Sequence, residues 1–91
     1  MSKIKIEYSS KFIEERKKFV KNNRVRFADY SKAVGNFIKN PHHPGLNLEK
    51  LKNSSFWTIR LNKADRIFFI WTSKTSVLFL DIGKHDKYRR Y

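Results

Sequence analysis

There is no cysteine anywhere in the 91 residues, which rules out both a disulfide framework and thiolate metal sites. Long apolar runs are missing too. None approaches the roughly 20 residues of a membrane span, and the opening "MSKIKIEYSS" lacks the apolar stretch of a signal peptide, so the expected address is the cytoplasm. Acidic residues are scarce, at 8 Asp plus Glu against 21 Lys plus Arg, a formal charge of +13. Clustered carboxylates for glycoside chemistry are absent, and with three glycines there is no glycine-rich phosphate loop. No Ser-His-Asp arrangement is supported by spacing. His42 and His43 are adjacent, and neighbours in an extended loop point apart, so they read as loop surface with RNA contact as a lesser role, not as a metal site. No cofactor is expected.

What is present points to a folded, basic globule. The 40% hydrophobic and 15% aromatic content argues against a disordered basic tail. A chain of this length makes one domain, residues 1–91, with one core. Self-repulsion at +13 is ordinarily compensated by a polyanionic partner. Nucleic acid leads, an acidic protein comes second, and an anionic membrane is a distant third.

Periodicity divides the chain into halves. Ile4, Ile6 and Tyr8 alternate with polar residues as a short strand. Ser9 and Ser10 can cap a helix reaching Lys21 or Asn22, with Phe12, Ile13, Phe19 and Val20 on its apolar stripe. A second helix is predicted from about Arg24 to Lys39, with Phe27, Tyr30, Val34, Phe37 and Ile38 buried; Pro41 and Pro44 in "NPHHPGLN" end it. The period then shortens to two. "FWTIRL" puts Trp57, Ile59 and Leu61 on a core face and Thr58 and Arg60 on the other. "NKAD" is a hairpin turn, and "RIFFIW" and "SVLFLDI" are near-continuous apolar strands. The expected fold is α+β: strand–helix–helix–three strands, a small mostly antiparallel sheet with two helices packed on one face.

Arg60 sits inside a strand, Arg66 opens the next, and His85 follows the last. In an antiparallel meander these positions converge on one side. Arg, His and Tyr suit metal-free RNA cleavage, in which a 2′-hydroxyl attacks the neighbouring phosphate. That reaction needs a base, an acid and cations for the phosphoryl oxygens. Histidine titrates near neutral pH, whereas a tyrosine base would need neighbouring cations such as Lys84, Arg89 and Arg90. The remaining RNA-binding candidates are Lys50, Lys52, Lys63, Lys87 and Tyr88.

The element order, "FWTIRLNKADRIFFIW" and the final "DIGKHDKYRRY" resemble the RelE/ParE superfamily of bacterial toxins from toxin–antitoxin pairs. The resemblance covers essentially the whole chain, with motif-level detail in its last 40 or so residues. It implies a ribosome-dependent endoribonuclease that cleaves mRNA without a metal and is held inactive by a cognate acidic antitoxin. Arg60 would contact phosphate, Arg66 would stabilise the transition-state phosphate, His85 would be the general acid and Tyr91 the base. Thr58 stands where the RelE branch has a second strand lysine, and Tyr88 is a rival to Tyr91. A ParE-like non-catalytic toxin that inhibits DNA gyrase, and a plain basic RNA-binding protein, remain as alternatives.

Overall fold

The computed structural model describes residues 3–90, with side chains through Lys87. Five strands and two helices follow one another in the order β1 (Lys5–Tyr8), α1 (Ser10–Val20), α2 (Arg24–Lys39), β2 (Glu49–Lys50), β3 (Trp57–Arg60), β4 (Asp65–Trp71) and β5 (Ser76–Lys84). A 3₁₀ turn at Pro44–Leu46 precedes β2, and a 3₁₀ segment, His85–Arg90, follows β5.

Local chemistry sets the helix ends. Ser9 is extended, and its hydroxyl accepts from the Phe12 amide at 3.0 Å, satisfying a donor that the first turn of α1 leaves open. Asn23 does the same for α2, accepting from the Arg26 amide at 2.9 Å. Between the helices Asn22 takes a left-handed φ of 52°, a conformation that asparagine tolerates well.

The sheet runs β1-β5-β4-β3-β2. All pairings are antiparallel except β1 on β5, which is parallel with Lys5 opposite Ser76 and Tyr8 opposite Phe79. The two-residue edge strand β2 is an addition to the sequence reading, being too short to show a period. A bulge interrupts β4–β5: Phe68 faces Asp81 and Phe69 faces Phe79, so Leu80 is the extra residue.

The core lies between the helices and one face of the sheet. Phe12 and Phe19 of α1 and Ala33 and Phe37 of α2 pack with Ile59, Ile67, Phe69, Val77, Phe79 and Ile82. Phe37 meets Phe69 and Phe79 with ring centroids 5.3 and 6.0 Å apart. Two expectations change. Phe27 lies on the stripe of α2 but is 57% exposed, and Thr58 is buried instead of facing solvent. Phe68, on the opposite pleat from Ile67 and Phe69, is also fully buried, so the second face of the sheet is partly covered. The 3₁₀ segment packs against β4.

Candidate functional site

The β3–β4 turn is the nucleus of the site, and Asn62 builds it. Its side-chain oxygen accepts from the amides of Ala64 (2.8 Å) and Asp65 (2.9 Å), closing the turn locally. Its side-chain nitrogen donates to the buried carboxylate of Asp65 (2.8 Å) and to Asp29 of α2 (3.1 Å). Asparagine thus fixes the turn to the second helix and gives Asp65 the donor that a buried carboxylate requires.

Two arginines flank that turn. Arg60 at the end of β3 is directly opposite Arg66 at the start of β4. Arg60 Nε donates to the Asn62 carbonyl at 3.3 Å, and an Arg66 terminal nitrogen donates to the same carbonyl at 3.0 Å. Arg66 donates again to the Asp65 backbone carbonyl at 3.1 Å. Among the described residues neither guanidinium has a carboxylate within 4.0 Å. Burial pushes the Arg66 guanidinium below the usual arginine range, and the like charge of Arg60 pushes it further; Glu49 and Asp65 act in the opposite sense. Like charges directly opposite on adjacent strands cost stability. Such a pair is a ready binding position for an anion.

β5 brings the third component. Gly83 is opposite Arg66 and Lys84 is opposite Asp65. The His85 amide then donates to the Ala64 carbonyl at 2.8 Å, tying the start of the 3₁₀ segment to the same turn. The His85 side chain is exposed. Arg60, Arg66 and the His85 backbone are therefore gathered around four consecutive residues, 61–64.

The other candidates are dispersed. Lys50, Lys52, Lys63 and Lys84 are exposed, with Lys50 on the edge strand and Lys63 in the turn beside the arginines. Lys87 differs: its amine meets Asp81, Glu15 and the Ile82 carbonyl. The side chains of Tyr88, Arg89 and Arg90, and the whole of Tyr91, lie outside the described residues. His42 and His43 part company. His43 and Arg60 border a cleft of about 200 Å³ against α2, with Asp29, Lys32 and Asn36, whereas His42 lines a groove with Trp57 and Trp71. No group of three His, Cys, Asp or Glu side chains is placed to hold a metal among the described residues. None of their helices is long and apolar enough to cross a membrane.

Sequence reasoning missed Asn62. The signal was present, since an asparagine three residues before an aspartate in a tight turn commonly caps the turn backbone.

The fold is that of toxins from toxin–antitoxin pairs. The YoeB/ParE toxin of Agrobacterium tumefaciens superposes with a TM-score of 0.74 at 13% identity, covering 90% of this chain and 99% of the other. YafQ in the Escherichia coli DinJ–YafQ toxin–antitoxin complex gives 0.75 at 15% identity, with 93% and 96% covered. A metal-bound toxin from Helicobacter pylori gives 0.73 at 24% identity, with 92% and 97% covered. No family profile matches the sequence, and no curated protein sequence matches it significantly.

Proposed function

We propose that the chain is the toxin of a toxin–antitoxin pair and acts as a metal-free, ribosome-dependent endoribonuclease on mRNA. The observation that carries the reading is the opposed Arg60–Arg66 pair, directed onto the Asn62 carbonyl of the turn whose Ala64 carbonyl also holds the His85 amide. A scissile phosphate bound there would relieve the repulsion between the guanidinium groups. It would also receive fixed cations where charge develops.

The chemistry needs one proton removed and one supplied. A base takes the proton of the 2′-hydroxyl, and the oxygen attacks the adjacent phosphorus in line. The bond to the 5′-oxygen then breaks, and that oxygen receives a proton. His85, exposed at the rim, is the proposed acid. Tyr91 is the proposed base, with Tyr88 as its rival. Arg66 holds the phosphoryl oxygens, and Arg60 positions the phosphate. An acidic antitoxin segment suits the same surface, because its carboxylates would compete with phosphate for the two arginines.

One observation favours the non-catalytic gyrase reading. Thr58, at a position that would otherwise carry a second strand cation, is only 5% exposed and offers nothing to a phosphate.

Variants separate the readings. His85→Gln and Tyr91→Phe should each slow cleavage on translating ribosomes by roughly two to four orders of magnitude, the usual reach of proton transfer, with ribosome affinity little changed. Tyr88→Phe should cleave normally. Cleavage lost in Tyr88→Phe but normal in Tyr91→Phe would reassign the base. Cleavage absent from the wild type would remove the nuclease reading.

A further inference from the structure

Lys87 has its amine engaged within the protein. Its ammonium carries three N–H donors and meets three acceptors: Asp81 Oδ1 at 3.1 Å, the Ile82 carbonyl at 3.1 Å and Glu15 Oε2 at 3.4 Å. The side chain is 19% exposed and Asp81 is fully buried. Asp81 also accepts from the Ile82 amide at 2.9 Å and pairs with Lys11 of α1 at 3.4 Å. A carboxylate this deep persists as a charge only when cations and donors surround it.

Two backbone features serve the same contact. The bulge at Leu80 lies immediately before Asp81, and bulges re-aim the side chains beside them. Gly83 has a φ of 150°, and a Cβ there would fall 2.8 Å from Lys87 Cε and 3.1 Å from its Cδ and Nζ. A side chain there would crowd the lysine stem where it crosses β5 to reach Asp81, and the φ is one that glycine adopts without strain. The lysine in turn lies two residues beyond His85, whose amide is held by Ala64.

We propose that Lys87 is a positioning residue: with Asp81, Glu15 and the gap at Gly83 it latches the His85–Arg90 segment onto β5 and α1, and so fixes His85 beside the arginine pair. The consequence for catalysis rests on the nuclease reading above; the latch itself does not.

The direct test is Lys87→Met, which keeps the stem and removes the amine, read by amide exchange and by the ring resonances of His85 in the full chain without RNA. The His85 amide should exchange at least about tenfold faster while the β4–β5 ladder stays protected, because only the segment is released. The His85 ring signals should move. On ribosomes kcat should fall about a hundredfold with KM unchanged, as misplacement of an acid by an ångström would give. The slope of RNA affinity against salt should match the wild type. Wild-type protection of the His85 amide, or a slope reduced by about one, would overturn the latch and make Lys87 a phosphate contact. Should Lys87→Met fail to fold, Glu15→Gln carries the same exchange measurement: faster exchange at His85 supports the latch, and unchanged exchange overturns it. Faster exchange in a protein whose wild type cleaves no RNA would keep the latch and discard the nuclease reading.

Discussion

Arg60 and Arg66 oppose each other and, among the described residues, donate to main-chain carbonyls alone, an arrangement that opposes folding. Removing one charge should therefore divide stability from function. Arg60→Gln and Arg66→Gln should leave the free protein as stable as the wild type, or more stable by up to about 1 kcal/mol in denaturant titration, since opposed like charges cost of that order. Both should weaken RNA binding. A loss of stability with unchanged RNA affinity would mean that the arginines serve the fold. The positions of both arginines were legible in the sequence, because strand alternation and hairpin pairing put them on one side. The fate of Lys87 was not. Its local sequence reads as one more cation in a basic stretch, and its partners Glu15 and Asp81 are 72 and 6 residues away.

At the scale of elements, the β3–β4 turn holds the site together, and Asn62 holds the turn. Asn62→Ala would withdraw two acceptor contacts from the backbone and leave the buried Asp65 carboxylate without that donor. We expect a loss of about 1–3 kcal/mol in stability, the usual cost of stranding a buried polar group, together with weaker RNA binding as the arginines lose their common anchor. Unchanged unfolding and binding would show that the turn is set by its flanking strands alone. The helices were legible because Ser9 and Asn23 cap them and the apolar stripe of each repeats regularly. The stripe failed at Phe27: a helical period names a face, but it does not say how far the surface beneath extends. Thr58 failed for a related reason. Alternation assumes a wet second face, and here Phe68, opposite Thr58 in the sheet, is fully buried on that side.

Over the whole molecule, 21 basic residues against 8 acidic ones make electrostatics the expected driver of association. A patch making about six phosphate contacts should lose on the order of a thousandfold in RNA affinity between about 50 and about 200 mM salt. Affinity that stays flat over that range would remove the electrostatic account. The core tells nothing about function, because Phe12, Phe37, Phe69 and Phe79 make a scaffold that could carry either a nuclease or a gyrase binder. The measurement that decides is the mapping of transcript ends after the purified protein is added to translating ribosomes, with Arg66→Gln run in parallel. New ends within translated messages, absent without translation and strongly reduced in Arg66→Gln, are the expected result. Intact transcripts, alongside inhibition of gyrase supercoiling by the same preparation, would contradict it.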